Sequence, residues 1–290
     1  MPGSRIVVRP LRGIAEFHQC ERIQQTVWGS AGVSSELLLV TAKNGGQVLG
    51  AFSAGRLAGF LYAFLARRHG RLIHWSHLMA LEPDFRDCGL GLRMKLEHRR
   101  QALAQGIRLI AWTYDPLQSR NAALNIGRLG AEVREYIPDC YGSFPSSIEC
   151  GLPSDRFVAE WHIATRKVER SLASSRSAMI EATAPTINEV DWDARDFAVN
   201  RRLRLTLSEP RLLAEVPAET DRMRALDLDM ARRWRFEMRR VFQHYFKKGY
   251  RVAGFFSRLD RDSRRAFYVL ERAGRRSPGR RPGLRGTPNS

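Results

Sequence analysis

The residues whose types and spacing could do chemistry begin with two glycines between a strand and a helix. Gly89 and Gly91 follow a strand that ends at Leu81, and they introduce a helix predicted over 90–105. Such a turn exposes backbone N–H groups at a helix N-terminus, where the macrodipole favours an anion. Glycine suits the turn because a Cβ would hinder the approach of a phosphate. The segment predicts a pyrophosphate cradle, with Arg86 as an added cation.

Two histidines next to this turn are candidate general bases. His74 and His77 lie on the strand before the turn, and Glu82 follows that strand. A neutral imidazole can take a proton from an ammonium acceptor, which leaves a free amine able to attack an acyl carbon. The histidines are three residues apart on a strand, so they face opposite sides and are not expected to share a metal. A hydrogen-bonded structural role is the alternative for each.

The elements that must position these residues alternate between strand and helix patterns. Over the first half of the chain their order is β-α-β-β-β-α-β-α-β-β, which predicts a mixed α/β domain. The small residues of segment 53–56 predict a hairpin turn, and Pro83 ends the strand before the cradle. The turn at Gly89 lacks the glycine spacing of a dinucleotide-binding fingerprint and the Lys-Ser/Thr pair of a nucleotide phosphate loop.

The segment 79–91 resembles the acetyl-CoA signature of the GNAT superfamily of N-acyltransferases. Residues 86–91 are similar to Arg/Gln-x-x-Gly-x-Gly/Ala after a strand that ends in an apolar-acidic-Pro turn. The element order is also that of the superfamily. More narrowly, segments 112–121, 140–142 and 151–157 look like a branch of predicted GNAT acetyltransferases. The resemblance implies a GNAT fold with a central mixed, mostly antiparallel sheet.

The resemblance also implies acetyl-CoA or another acyl-CoA as co-substrate. Backbone groups of the cleft strand would hold the pantetheine arm, the cradle would hold the pyrophosphate, and a side-chain amide after the next strand would contact CoA. Helix capping is the rival interpretation of Ser119 and Asn121. The residues implied to hold CoA are Met79, Ala80, Leu81, Arg86, Asp87, Cys88, Gly89, Leu90, Gly91, Leu92, Ser119 and Asn121.

Two positions depart from the family pattern. Asp87 stands where the family often has glycine, which brings a negative charge close to the phosphates. Ile126 falls where the family often has the tyrosine that protonates the leaving thiolate, so that acid is missing. Tyr114 and Tyr141 are the candidate replacement acids.

The activity that the resemblance implies is acyl transfer from CoA to an amine. We expect a small-molecule acceptor, and an N-acetyl or N-succinyl amino acid is the first product to test, because arginines near the cleft could bind a carboxylate. The base is expected at His77 rather than His74, since strand alternation places His77 with Met79 and Leu81 beside the pantetheine cleft. Two alternatives stay open: a non-catalytic CoA-binding or regulatory protein, and acylation of a protein or RNA.

The formal net charge of +18 fits nucleic acid, an anionic surface or a polyanionic cofactor. Residues 272–290 hold six arginines and no acid, and the rest of the excess is dispersed. In segment 232–246 aromatic residues and arginines alternate at helical spacing, which favours rings turned inward over a nucleic-acid surface. Nucleic acid is therefore not an expected partner, and a homodimer is left open.

The cysteines and the hydropathy pattern bear on the compartment. Cys20, Cys88, Cys140 and Cys150 lie far apart without a CxxC pair and are interpreted as free thiols. The chain has no apolar run of the length that spans a bilayer and no secretory signal pattern at its N-terminus. These features predict a cytoplasmic protein without a membrane partner.

The chain is predicted to contain two folded units. Residues 1–168 form the acyltransferase domain, and 169–185 are small and polar and predict a linker. Residues 186–272 predict a smaller C-terminal α+β unit of unknown role, with one long helix over 219–248. The Arg/Pro/Gly-rich segment 273–290 predicts a disordered basic tail.

Overall fold

The computed structural model describes residues 6–30, 32–142, 151–173, 184–260 and 263–272. Its strands are β1 (Val7–Pro10), β2 (Gln47–Ser53), β3 (Arg56–Arg68), β4 (Arg71–Leu81), β5 (Ile110–Tyr114), β6 (Glu132–Ile137), β7 (Arg156–Trp161), β8 (Asn188–Trp192), β9 (Ala198–Leu203), β10 (Arg211–Val216), β11 (Tyr250–Asp260) and β12 (Ser263–Arg272). Its helices are α1 (Gly13–Trp28), α2 (Ser35–Lys43), α3 (Leu90–Ala104), α4 (Ser119–Ala122), α5 (Arg166–Ala173), α6 (Thr220–Leu226) and α7 (Leu228–Lys247), and a π-helical turn Ala123–Arg128 continues α4.

One mixed sheet of ten strands runs through the molecule in the order β1-β2-β3-β4-β5-β7-β6-β11-β12-β10. Strands β8 and β9 form a separate antiparallel pair. The predicted mixed, mostly antiparallel sheet is confirmed, since only the β4–β5 pairing within this sheet is parallel among the described strands. The order of elements up to β7 matches the prediction with one addition, helix α2.

The hairpin predicted at segment 53–56 joins β2 to β3. Ala54 and Gly55 both have positive φ, 48° and 80°, which the tight connection of two twisted antiparallel strands requires. The meander then continues into β4, which pairs antiparallel with β3 from Arg71 to Leu81. Local turn chemistry therefore fixes this half of the sheet.

The central feature of the sheet is a separation between two neighbouring strands. Strands β4 and β5 pair only at His74–Ile110 and Trp75–Ala111. Beyond these positions β4 remains paired with β3, and β5 remains paired with β7. Their facing edges therefore diverge and leave a V-shaped opening in the sheet, which we call the opening.

Helices cover both faces of the sheet beside this opening. Helices α1 and α2 pack on one face, where Phe17 and Leu38 meet Phe60 and Tyr62 of β3. Helix α3 packs on the other face through Leu90 and Met94, which meet Met79 and Leu81 of β4. The two faces of β4 are thus covered by different helices.

Helix α3 forms where the sequence predicts it. It starts after Gly89, which has a positive φ of 77°, and it ends at Ala104, with Gly106 also in the left-handed region. Glycine adopts both conformations without the penalty that a Cβ imposes. The cradle turn and the C-terminal stop are therefore encoded locally.

The C-terminal region continues the same sheet. Strand β11 joins β6 at Val252–Val133, and the ring of Phe157 on β7 lies 4.6 Å from Phe242 of α7 and 5.5 Å from Tyr268 of β12. These side chains belong to one hydrophobic core that contains residues from both predicted units. The region 186–272 thus packs directly on the strands that carry the opening.

Three sequence predictions for this half are corrected. Residues 169–173 are not linker but the end of helix α5, whose Val168 is buried. The helix predicted over 219–248 is two helices, because Asp227 ends α6 and its carboxylate caps α7 by accepting from Met230 N at 2.9 Å. The apolar alternation over 203–207 also predicts a strand, but the structure has β9 at Ala198–Leu203 and no strand over 204–207. The tail 273–290, segment 174–183 and Cys150 lie outside the described residues.

The aromatic face predicted for the long helix is largely confirmed. Trp234, Phe242 and Tyr245 are buried in the core. Two positions reverse the pattern, since Phe236 is 45% exposed and Arg235 is only 2% exposed. A nonlocal contact of Arg235 explains the second exception. No described helix combines the length and apolar composition that crossing a membrane requires.

Candidate active site

The opening leads into a cavity of about 930 Å³. Residues of β4 and β5 form its two walls, and Lys95 of α3 reaches it from below the sheet. Trp28 of α1 borders one side, and residues of α6 and α7 close the far end. The cavity therefore lies between the predicted acyltransferase domain and the C-terminal region.

None of residues 86–92 is itself a lining residue of this cavity, but Gly91 lies next to two side chains that are. A Cβ added at Gly91 would lie 3.5 Å from Met79 and 3.9 Å from Leu124, and both of these side chains line the cavity. At Gly89 the space around such a Cβ is open, and no side chain of the described residues caps the first turn of α3. The first N–H groups of α3 are thus not capped by a described side chain, as an anion site requires.

The acid of the cradle is paired with an arginine across the opening. The carboxylate of Asp87 accepts a hydrogen bond from Arg120 of α4, and this bond lowers the pKa of Asp87. Both side chains are mostly exposed, 73% for Asp87 and 66% for Arg120. The negative charge predicted to disturb phosphate binding therefore has a cation beside it. Arg86 folds back, and its Nε donates to the carbonyl oxygen of Leu81 at 3.2 Å.

A β-bulge decides where His77 lies. Tyr62 pairs with Leu78 and Ala63 pairs with Ser76, which leaves His77 as the extra residue of β4. Its ring lies 6.0 Å from the ring of Tyr62 and 6.0 Å from that of Phe64. It lines the cavity, and desolvation lowers its pKa, so the imidazole is neutral at neutral pH.

The bulge corrects one expectation about this histidine. Simple alternation predicts His77 on the face of Met79 and Leu81, but those two residues pack with α3. His77 instead shares the face of α1 and α2, because the extra residue shifts the alternation by one. It still borders the cavity, from the side opposite to the cradle helix.

His74 is not part of the cavity wall. It is buried beneath the sheet, and its Nδ1 lies 3.1 Å from Nε2 of His98 on α3. Burial lowers its pKa. The structural alternative therefore fits His74, and its interpretation as a candidate general base is corrected. Glu82 is likewise engaged, in an ion pair with Arg56, and does not line the cavity.

Both candidate replacement acids line the cavity. Tyr114 is buried at the end of β5, and burial raises its pKa. The hydroxyl of Tyr141 lies 3.0 Å from Oγ1 of Thr113, also on β5. Ile126, at the position of the missing acid, is buried in the core. The structure thus brings the hydroxyl of Tyr141 to the cavity, whereas the hydroxyl oxygen of Tyr114 is buried although other atoms of this residue line the cavity.

The two residues proposed to contact CoA after β5 are placed differently. Asn121 lines the cavity, as does Asn125 one helical turn later. The hydroxyl of Ser119 donates to the carbonyl oxygen of Ala218 at 2.7 Å, in the loop before α6. Ser119 therefore connects α4 to the C-terminal region, while Asn121 keeps its amide at the cavity.

Lys95 is a cavity residue that sequence reasoning missed. Its side chain is 3% exposed, its Nζ donates to Oγ of Ser76 at 3.0 Å, and it lies 4.0 Å above the ring of Trp112. Burial lowers its pKa to about 7. The signal was a lysine four residues after Gly91, on the helix face that also carries the buried residues His98 and Ala102 and therefore turns toward the sheet.

Arg235 is the second missed residue, and it comes from the C-terminal region. Its two terminal nitrogens donate to the carboxylate of Asp115 at 2.7 and 2.6 Å, directly after β5. Burial alone would lower the pKa of Arg235, but Asp115 raises it, so the guanidinium stays charged. Arg224 and Arg156 line the same cavity. The far end of the cavity is thus rich in cations.

No protein-family model and no curated protein matches the chain. Solved structures with a similar fold include the ribosomal-protein-S18-alanine N-acetyltransferase from Escherichia coli, with 13% identity, a TM-score of 0.46 and coverage of 56% of this chain and 96% of that chain. A GNAT-family acetyltransferase from Streptococcus pneumoniae has 17% identity and a TM-score of 0.42, with coverage of 54% of this chain and 98% of that chain. A GNAT-family acetyltransferase from Elizabethkingia anophelis with acetyl-CoA bound has 11% identity and a TM-score of 0.41, with coverage of 54% of this chain and 97% of that chain.

The fold of the first half agrees with the resemblance inferred from its sequence. Strands β1 to β7 and their helices follow the expected order, and the glycine turn stands between β4 and α3 beside the opening. The solved structures above, two of them GNAT-family acetyltransferases, are similar to this chain over about half of its length.

Proposed function

We propose that this protein transfers an acetyl or succinyl group from CoA to the amine of a small molecule, with an amino acid as the first acceptor to test. The observation that carries the proposal is the separation of β4 and β5 beside the glycine turn. Residues 76–81 keep one edge of their backbone unpaired by β5. An extended amide-containing arm such as pantetheine can pair with such an edge as an added strand.

The residues of the cradle fit the phosphates of CoA. The N-terminus of α3 offers free N–H groups, and Gly91 leaves the space between Met79 and Leu124 without a Cβ. Bound acyl-CoA supplies the activated thioester. The chain's own residues position that group and provide the proton acceptor.

The proposed base is His77. It lines the cavity from the face of α1 and α2, and its neutral form can take the proton that the attacking amine loses. Tyr114 and Tyr141 border the same space and are expected to contribute less, because the hydroxyl of Tyr114 is buried and a thiolate leaves readily near neutral pH.

The far end of the cavity supports an acidic group on the acceptor or on the acyl chain. Arg156, Arg224 and Arg235 line it, and arginine binds carboxylates through two parallel hydrogen bonds. Asp115 and Asp221 also line this end, and each is bonded to one of these arginines. An amino acid fits because it offers an amine and a carboxylate at short separation.

Isothermal titration of the full chain with acetyl-CoA and with succinyl-CoA tests the proposal. We expect saturable binding of at least one of them, and a loss of at least about tenfold in affinity for Gly91→Val, whose side chain would enter the cradle. Leu96→Val on the exposed face of α3 is the matched control, since it places the same β-branched residue in the same helix. Absence of binding to the wild type would overturn the proposal.

Turnover separates the proposed activity from a non-catalytic role. Release of CoA is measured with L-amino acids and with amine-bearing peptides as acceptors. Binding without release of CoA would favour the regulatory alternative, and release with peptides alone would favour protein acylation.

A further inference from the structure

Lys95 reaches the point where the two central strands part. Trp75 and Ala111 form the last pair between β4 and β5. Ser76 is the next residue of β4, and Trp112 is the next residue of β5. Nζ of Lys95 contacts both, at 3.0 Å from Ser76 Oγ and 4.0 Å from the centre of the Trp112 ring. The ammonium group therefore sits at the apex of the opening, in the wall of the cavity.

This buried cation has no anionic partner. Within the part of the chain that the structure describes, no carboxylate forms an ion pair with Lys95, and its neighbours are a hydroxyl and an indole face. An ammonium group taken out of water without a counter-charge is costly, which is why burial lowers its pKa to about 7. A negative charge brought to this point by a ligand would thus find a counter-charge that no described carboxylate has already taken.

The position of Lys95 on α3 says which substrate can bring that charge. It lies four residues after Gly91 in the same helix, about 6 Å along the axis from the cradle. His77 borders the cavity from the opposite face of β4, beside α1 and α2. A thioester bound from the cradle would therefore have its sulfur on the side of Lys95 and its acceptor on the side of His77.

We propose that Lys95 is the counter-ion of the sulfur that leaves during the acyl transfer proposed above. This inference rests on that proposed function, and it supplies what the residue at Ile126 cannot. A charge that appears only as the C–S bond breaks is stabilised more in the transition state than in the ground state, which is the condition for catalysis.

The proposed acyl transfer forms one C–N bond and breaks one C–S bond. The amine nitrogen of the acceptor forms a bond to the acyl carbon, and the proton that this nitrogen loses passes to His77. The C–S bond breaks, its electron pair goes to sulfur, and the thiolate is held by the Lys95 ammonium. The sulfur takes a proton from Nζ as CoA departs. Lys95 regains a proton from water, and His77 returns one to water.

Other ionisable groups around Lys95 do not supply the missing charge. These groups, on α3, β4, β5, the loop after β5 and α7, are His98, His74, His77, Tyr114, Asp115 and Arg235. Burial or desolvation keeps the three histidines neutral, and burial raises the pKa of the tyrosine. The Asp115 carboxylate is bonded to Arg235.

The ultraviolet absorbance of the thiolate in the complex with CoA tests this inference without an acceptor. A free thiol titrates near pH 8.5, and a cation within a few ångströms lowers that midpoint by about one unit or more. We expect this shift in the wild type, in Lys95→Arg, which keeps the charge, and in Lys43→Met, an exposed lysine of α2. We expect its loss in Lys95→Met, with the affinity for acetyl-CoA changed by less than about threefold.

The outcomes separate the two proposals. Failure of CoA to bind the wild type overturns the acyltransferase proposal itself. Binding with an unshifted thiol midpoint in the wild type overturns the role of Lys95 and needs no variant. An equal shift in the wild type and in Lys95→Met, or in Lys95→Gln if the first variant does not fold, overturns it as well.

Discussion

Two aspartate–arginine pairs stand at the outer and inner ends of the proposed site, and they differ in burial. In the outer pair, Asp87 with Arg120, both side chains are more than half exposed. The inner pair, Asp115 with Arg235, is 18% and 2% exposed. Exposed ion pairs contribute little to stability because water solvates the separated charges about as well as they attract each other. Breaking a buried pair leaves a charge with neither solvent nor a partner.

The difference teaches which pair can respond to a ligand. The outer pair can open at little cost, so its arginine can follow an anion that enters the cradle. The inner pair joins the end of β5 to helix α7, and through it the C-terminal region closes the cavity. One pair borders a surface that must adapt, and the other holds two parts of the chain in a fixed relation.

The largest effect is expected at the inner pair. Arg235→Leu leaves the Asp115 carboxylate without its bidentate partner and should lower the free energy of unfolding by about 3–5 kcal/mol, measured by urea denaturation. The double variant Asp115→Leu/Arg235→Leu is the control, because it removes both charges and should recover a large part of the loss. Equal losses in the single and double variants would mean that packing, not charge, dominates.

A second ion pair with a buried carboxylate, Asp155 with Arg239, extends the comparison to acidic pH. Burial would raise the pKa of Asp155, but hydrogen bonds from Arg239 and Tyr136 lower it overall. The folded pKa lies below the unfolded value of about 3.9, so the stabilisation is present above that pH and is lost as the pH falls toward the folded pKa. Arg239→Met should cost roughly 1.5–3 kcal/mol at pH 7.

The pH dependence of that variant is the sharper measurement. The difference in unfolding free energy between wild type and Arg239→Met should shrink as the pH falls below about 4. Asp87→Asn, at the exposed pair, should show no such difference. A constant difference for Arg239→Met across this range would argue against the charge at Asp155.

An intermediate effect is expected at His77, which borders the cavity between the two pairs. His77→Gln should lower the turnover number at least about tenfold, roughly 1.4 kcal/mol of barrier, because the amine loses its proton acceptor. Desolvation lowers the pKa of His77, so wild-type activity should fall only below the usual histidine range as the pH decreases. The variant should lose this acidic limb.

Tyr114→Phe and Tyr141→Phe are the controls for this measurement. Each should change the rate by less than about tenfold. A tyrosine variant that falls further than His77→Gln would reverse the assignment of the main proton-transfer group.

The smallest effect is expected at the outer pair. Asp87→Asn should leave the thermal midpoint unchanged and raise the affinity for acetyl-CoA by less than about fivefold at low salt, because one negative charge near the phosphates is removed. High salt should abolish the gain. Asp84→Asn, an exposed acid of the same loop, is the matched control. A loss of affinity in Asp87→Asn would mean that Asp87 helps to order the turn.

The sequence by itself determined the parts of this protein that depend on short-range chemistry. The β2–β3 hairpin follows from the small residues at 53–56, and the turn before α3 follows from Gly89 and Gly91 between a strand and a helix. The inward rings of α7 follow from helical spacing. These features were predictable because backbone conformation and periodicity are properties of neighbouring residues.

Only the tertiary structure decided which side chains meet in the cavity. A bulge set by pairing with β3 moved His77 to the other face of β4, and burial against Ser76 and Trp112 gave Lys95 its environment. Arg235 turned inward because Asp115, far away in the sequence, accepts its two hydrogen bonds. Register, burial and long-range charge pairing depend on residues that become neighbours only after folding, so a local pattern can point to a helix face but cannot name the partners found there.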